Sequence, residues 1–280
     1  MMKNRPKISI VTVCYNCKDV IERTICNVLK QTYRNIEYIV IDGASTDGTK
    51  EIVERYANQL AYWLSEPDRG IYDAMDKGIR VATGEWILFR NAGDYFFKPT
   101  TVQDVFEWYE DKGEDLIVGG TRSFGQEGYR DKFYHLQGAD VWHRAFISHP
   151  STFVRMSVQK ANLFPISYRI ASDYYFFQKL MLEGASMACY DGIVSLFDCE
   201  GGVSSIQLVQ SWKEMLLIRR QLKAPENVIK ETQKQYFKTR MYRLFANALM
   251  ICKPLFRIYC KKRHHIGWTA QPLSVTLKDI

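Results

Sequence analysis

Short apolar runs alternate with amphipathic helical patterns through the first 120 residues, and nothing else in the chain constrains its fold as strongly. Residues 8–14 (Ile-Ser-Ile-Val-Thr-Val-Cys) open the series. A β-branched run without charges reads as a strand buried on both faces of a parallel sheet. Ile21, Ile25, Val28 and Leu29 follow at i, i+4, i+7 and i+8, which is one face of a helix. Residues 36–41 give a second strand, and Ile52, Val53, Tyr56, Ala57 and Leu60 a second helix. Further strands are predicted at 62–65, 86–89 and 116–118. The helices between them carry Ile71, Ala74, Met75, Ile79 and Ala82, then Val102, Val105, Phe106 and Tyr109. Such alternation with short connections implies βαβ units, an α/β fold and a mostly parallel sheet flanked by helices. Ligands of these sheets collect beyond the carboxyl ends of the strands. Tyr15, Asn16, Asp42 and Asp94, each just after a strand, are therefore expected at the functional edge.

Beyond residue 120 the pattern loosens. Residues 121–147 read as a long loop or hairpin, 172–182 as a helix, 186–198 as one or two strands, and 206–262 as two or three helices. The break at Glu200-Gly201-Gly202 divides the chain into an α/β domain, 1–205, and a helical C-terminal region, 206–280. Charge follows the same division. From residue 207 onward 15 Lys and Arg stand against 4 Asp and Glu, whereas the preceding residues hold 23 against 27. The net charge of +7 thus belongs to the C-terminal region and says little about the first domain. A 46% hydrophobic, 25% charged composition excludes a disordered chain. No apolar run reaches the ~18 residues of a membrane span. The start, with Lys3, Arg5 and Lys7 leading into a strand, lacks a secretory pattern, so a cytoplasmic location is expected. Seven cysteines, an odd number spread widely, read as buried thiols; Cys14-x-x-Cys17 has the spacing of a redox motif or a zinc half-site, but no second C-x-x-C exists to complete a zinc shell.

Four places carry chemistry-bearing residues. Asn91-Ala-Gly-Asp94 follows an apolar strand, where one carboxylate suits Mg²⁺ or Mn²⁺ completed by water and phosphate, or merely closes a turn. Asp42 ends the second strand. Asp47 and Ser45 fit the cap of the next helix better, which leaves Asp42 free for a base or ribose contact. Asp173 opens an aromatic helix and either stabilises its dipole or acts chemically. His149, before Pro150, is a candidate metal or phosphate ligand, a packed loop histidine being the commoner outcome. There is no G-x-x-x-x-G-K-[ST], G-x-G-x-x-G or G-x-S-x-G, so phosphate-loop ATPases, common dinucleotide oxidoreductases and serine hydrolases lose their signatures.

Five ordered segments resemble the family 2 glycosyltransferases, whose nucleotide-binding domain has the GT-A fold. They are Ile8-Ser-Ile-Val-Thr-Val-Cys-Tyr-Asn16, Gln31–Glu37, Tyr38-Ile-Val-Ile-Asp-Gly-Ala-Ser-Thr-Asp-Gly-Thr49, Ser65–Gly78 and Gly84–Asp94. A looser likeness runs through His149–Phe153 and Ile170–Glu183 and fades after about residue 200. The resemblance implies a GT-A-type sheet and an inverting transfer of sugar from a UDP- or GDP-sugar to a hydroxyl of a glycan or lipid-linked acceptor. The setting it implies is bacterial surface polysaccharide synthesis. It implies nucleotide contacts from Thr12, Val13, Tyr15 and Asn16, with Asp42 and its neighbour Gly43 at the base. Asn91 and Asp94 would lie at the diphosphate. Asp94 would hold Mg²⁺ or Mn²⁺, with His149 a further candidate ligand, and Asp173 would be the general base. Two departures stand out: the family often has two or three acids where this chain has Asn91-Ala-Gly-Asp94, and Glu where it has Ser172. Transfer to a polyprenyl phosphate, or a non-catalytic nucleotide-binding subunit of a membrane-bound complex, are the alternatives. In the C-terminal region Tyr242, Leu244, Phe245 and Leu249 interleave with Lys238, Arg240 and Arg243, ahead of Lys261-Lys262-Arg263. That pattern suits either an interfacial helix on anionic lipid or helices packed on the domain. No nucleic-acid-binding module surrounds these charges.

Overall fold

The computed structural model describes residues 5–125, 128–134, 141–142, 147–198 and 207–249. Strands β1 (Ile8–Cys14), β2 (Ile36–Asp42), β3 (Tyr62–Ser65) and β4 (Trp86–Phe89) alternate with helices α1 (Lys18–Leu29), α2 (Thr49–Arg55) and α3 (Ile71–Val81). Then come β5 (Tyr95–Phe96), α4 (Thr101–Trp108), β6 (Leu116–Gly125), β7 (Gly128–Lys132), β8 (Thr152–Arg155), α5 (Met156–Ala161), α6 (Ser172–Leu182) and β9 (Met187–Asp198). Two helices close the described chain, α7 (Leu208–Gln221) and α8 (Glu226–Leu249).

The sheet runs β3-β2-β1-β4-β8-β6-β9-β5, with β7 paired to β6. The first four strands are mutually parallel, and β6 and β9 are parallel to each other. β8 is antiparallel to both β4 and β6. The expected mostly parallel α/β sheet is present. Of the loop or hairpin predicted over 121–147, the end of β6 and β7 form a hairpin; 186–198 is a single strand; the helices predicted beyond 249 lie outside the described residues.

Every residue of β1 is buried, because helices cover both sides. On one face Ile8, Ile10, Val40 and Leu88 pack with Ile21, Ile25 and Val28 of α1, Val53 of α2 and Val105 of α4. On the other, Val11, Val13, Ile39 and Phe89 pack with Met75 and Ile79 of α3 and Phe176, Phe177 and Leu180 of α6. Each fully buried aliphatic side chain contributes about 1.5–3 kcal/mol. Helix α3 sits especially close: a Cβ on Gly78 would stand 2.5 Å from Val11 Cγ1, so glycine sets the helix–sheet spacing there.

At the amino edge, Glu37 ties three segments together. Its carboxylate accepts from Lys7 Nζ at 2.8 Å, Ser9 Oγ at 2.6 Å, and Thr83 N and Oγ1 at 2.8 and 2.6 Å. Burial works to raise its pKa but is outweighed by these donors, which hold it at about 2. Stability from this depressed carboxyl is complete above about pH 5 and is lost as pH falls toward 2. Replacing Glu37 with Gln is expected to remove on the order of 3 kcal/mol at pH 7 and to flatten the acid slope of urea-denaturation stability by that amount.

Candidate active site

Because β1 to β4 are parallel, the loops that leave their carboxyl ends share one edge. The β1–α1 and β2–α2 loops are stitched together there. Asn16 N donates to Ser45 Oγ at 2.8 Å, Thr46 N to Asn16 Oδ1 at 2.9 Å, and Gly43 N to Cys14 O at 2.9 Å. Asn16 and Ala44 take left-handed backbone angles to make these turns. Thr12 and Val13 are buried, and Thr12 Oγ1 pairs with Tyr38 OH at 3.0 Å. Their side chains belong to the two cores. What this turn offers outward is backbone and the Tyr15 ring, which is 64% exposed.

Asp42 is fully buried, and its carboxylate is engaged inside the protein. Oδ1 accepts from Ser45 Oγ, while Oδ2 accepts from Ser45 N at 3.0 Å and Ser65 Oγ at 2.6 Å. The cap of α2 is Gly48, at φ +104°; Asp47, expected at that cap, stands one residue earlier and accepts from Thr49 N at 3.0 Å and Thr49 Oγ1 at 2.6 Å. The carboxylate that faces the loop cluster is Asp68. A Cβ on Gly43 would fall 2.4 Å from Asp68 Oδ2 and 3.3 Å from Tyr15 Cδ2. Gly70 N fixes the other oxygen at 2.8 Å. Sequence reading passed over Asp68, which stands in a Pro-Asp-Arg-Gly turn with the look of a solvated loop.

The segment after β4 turns back sharply, with Asp94 N donating to Asn91 O at 2.9 Å and Gly93 at φ +95°. Asp94 is nearly buried. Beneath the turn lies Arg90, wholly buried, its Nη1 donating to Tyr95 O at 3.2 Å and its guanidinium 3.9 Å above the Phe96 ring. Burial pushes its pKa down to about 10, with Asp94 and Tyr38 opposing. Asn91 Oδ1, Arg90 Nε and Nη2, and His149 Nε2 are buried without a hydrogen-bond partner among the described residues. His149 is packed by Phe89, Phe164 and Phe177 at ring separations of 4.8, 5.4 and 5.8 Å. Burial, with Arg90 adding to it, lowers its pKa to about 3, so its imidazole is neutral.

Asp173 begins α6. Its Oδ1 accepts from Tyr72 OH at 2.9 Å and Tyr174 N at 2.8 Å, and Tyr72 OH also lies 2.6 Å from Ile170 O. Burial pushes the Asp173 carboxyl up to about 6, against the hydrogen bonds from Tyr72 and the backbone, and the Glu214 charge adds to the rise. Tyr72 lies in the first turn of α3, just past the carboxyl end of β3. Asp173 is thereby anchored to the same sheet edge as Asp42, Asp68 and Asp94. A depression of about 380 Å³ lined by Asp115, Ser157, Asn162 and Glu183 lies at the opposite edge.

Among the described residues no group of three His, Cys, Asp or Glu side chains could enclose a metal. A divalent ion that needs one or two protein oxygens plus substrate phosphate fits what the turn carries: the Asp94 carboxylate and, three residues earlier, Asn91 Oδ1, buried without a hydrogen-bond partner among the described residues. No helix among the described residues is long and apolar enough to cross a membrane.

Comparison with known proteins identifies the family of this chain. Residues 9–172 match the family model of glycosyl transferase family 2. The chain is 32% identical over 213 residues to an uncharacterized glycosyltransferase of Mycobacterium tuberculosis, covering 71% of this chain and 78% of that one. It is 27% identical over 209 residues to a PGL/p-HBAD biosynthesis glycosyltransferase of Mycobacterium bovis, covering 71% and 80%. Its fold resembles S. aureus TarS 1–349 in complex with UDP, with a TM-score of 0.63, 20% identity and coverage of 83% and 72%. It also resembles the mannosyltransferase PcManGT from Pyrobaculum calidifontis in complex with GDP-Man and Mn²⁺, with a TM-score of 0.62, 18% identity and coverage of 84% and 70%. The α/β sheet is thus of GT-A type. The chain belongs to glycosyl transferase family 2.

Proposed function

We propose that this glycosyltransferase moves a sugar, with inversion, from a nucleoside-diphosphate sugar to a hydroxyl of a glycan or lipid-linked acceptor at the cytoplasmic side of a membrane. The observation that carries the reading is the pairing of roles at one sheet edge: a carboxylate, Asp173, tuned to about 6, and a second carboxylate, Asp94, in a turn suited to a diphosphate. Above pH 6 Asp173 is ionised and takes the proton of the acceptor hydroxyl as that oxygen attacks the anomeric carbon and the bond to the nucleoside diphosphate breaks. Tyr72 OH holds the carboxylate oxygen in place. Asp94, with Asn91, would hold Mg²⁺ or Mn²⁺, which when bound neutralises charge on the departing diphosphate. His149, neutral and walled by rings, is assigned to packing rather than to ligation. Tyr15 and Asp68 face the nucleoside from the first and third loops, and Asp42 supports that face from beneath. Neighbours in complex with UDP or GDP-Man support a UDP- or GDP-sugar donor. Exposed Phe237, Met241 and Tyr242 on α8, among Lys238, Arg240 and Arg243, support docking on an anionic lipid surface.

A panel of UDP- and GDP-sugars with Mn²⁺, read by thermal unfolding, tests the donor. One member at 100-fold its Kd is expected to stabilise the fold by about 2.7 kcal/mol. Stabilisation without donor hydrolysis would favour the non-catalytic nucleotide-binding alternative, and no stabilisation with any member would contradict a UDP- or GDP-sugar donor.

A further inference from the structure

We propose that Glu214, in the region after residue 206, is a positioning residue for Asp173, so that the C-terminal helices are part of the catalytic unit. This rests on the reading of Asp173 as the base. Glu214 is 3% exposed. Its Oε2 accepts from Ile170 N and Ala171 N, each at 2.9 Å, and its Oε1 from Arg169 N at 3.0 Å and Gln210 Nε2 at 2.8 Å. One carboxylate thus takes three consecutive backbone donors immediately ahead of Ser172 and Asp173. Ala171 is the cap residue of α6, so its N–H is one of the orphan amides at the helix start, and Glu214 satisfies it together with the two amides before it. A buried anion at a helix start is also favoured by the helix dipole.

The rest of α7 is fastened to the same place. Met215 and Ile218 pack with Tyr168, Ala171 and Tyr174. Arg219 Nε donates to Tyr174 OH at 2.8 Å, and Tyr168 OH bonds Gln221. Helix α7 is therefore packed on the α/β domain.

Glu214 acts on Asp173 in two ways. It holds the backbone from which Asp173 projects, and it places a like charge nearby that keeps the base avid for its proton. The groups facing Asp173 are Tyr72 from α3, which favours ionisation, and Glu214 from α7, which opposes it. Arg219 spends its Nε on Tyr174.

The test uses the full chain, amide hydrogen exchange and ¹³C-carboxyl titration by NMR, which need no substrate. In Glu214→Ala the amides of Arg169, Ile170 and Ala171 are expected to exchange at least about 10²-fold faster than in the wild type. Glu214→Gln keeps one carbonyl oxygen for Ile170 and Ala171, so the fold survives with two of the three bonds. There the Asp173 midpoint is expected to fall, because a like charge has gone. Met215→Ala loosens the same helix without touching a charge and is expected to leave that midpoint in place. Unchanged exchange at the three amides in Glu214→Ala, or an unchanged Asp173 midpoint in Glu214→Gln, would overturn the proposal. Donor turnover that survives in Asp173→Asn would remove the base reading alone, leaving the exchange result to stand by itself.

Discussion

Asp173→Asn is expected to slow sugar transfer by about 10²- to 10⁴-fold, the usual worth of a positioned general base, and at the same time to make the protein more stable at neutral pH. The two effects have one cause. The fold raises the Asp173 carboxyl from 3.8 to about 6, so the native state holds this proton more tightly than the unfolded chain does. Stability from that raised carboxyl is complete below about pH 4 and is lost as pH rises through 6. At pH 7 the ionised group therefore costs the fold on the order of 3 kcal/mol relative to a neutral side chain. Asparagine removes that cost and keeps Oδ1, the atom to which Tyr72 OH and Tyr174 N donate. In the wild type, turnover should rise with pH through about 6 as the base ionises. Urea denaturation at pH 7 and a pH–rate profile check both halves. A variant as fast as the wild type would end the base assignment.

Asp94→Asn is the second large effect. The diphosphate brings several negative charges to an edge where Arg90 is buried beneath the turn and directs one nitrogen at Tyr95 O. Loss of the Asp94 charge removes the carboxylate suited to a divalent ion, and the expected outcome is turnover reduced about 10²-fold or more. Stabilisation by donor should become independent of Mn²⁺. Shape is conserved, so the fold should persist in circular dichroism. Calorimetric titration of UDP with and without Mn²⁺ reads the same loss as binding: the wild type should show the Mn²⁺-dependent increment, and Asp94→Asn should not.

The parallel half of the sheet was legible because its strands are apolar at nearly every position, as in residues 8–14, and only burial on two sides explains that pattern. The return strands were harder. β8 is four residues long, and its place between β4 and β6 follows from long-range antiparallel pairing that no local period encodes. At the site, the positions of Asp42 at the end of β2 and of Asp94 in the turn after β4 were readable, whereas the α2 cap falls on Gly48, one residue past Asp47. What Asp42 does with its carboxylate was not, because Ser65, one of its partners, lies 23 residues away. Arg90 resembles any charge at a strand end, and nothing local says that it is buried. Glu214 sits in a helical pattern as an ordinary solvated acid, while the donors it serves lie more than 40 residues upstream. Such groups become visible only when distant segments are brought together.

The account depends on Asp94 and Asp173 serving one reaction from one edge. Adding Mn²⁺ and UDP to the ¹³C-labelled chain measures this most directly, because the paramagnetic ion broadens only carboxyl signals near it. The Asp173 resonance should broaden in the wild type and stay sharp in Asp94→Asn. An Asp173 signal that stays sharp in wild-type protein saturated with both ligands would place the two carboxylates in separate sites.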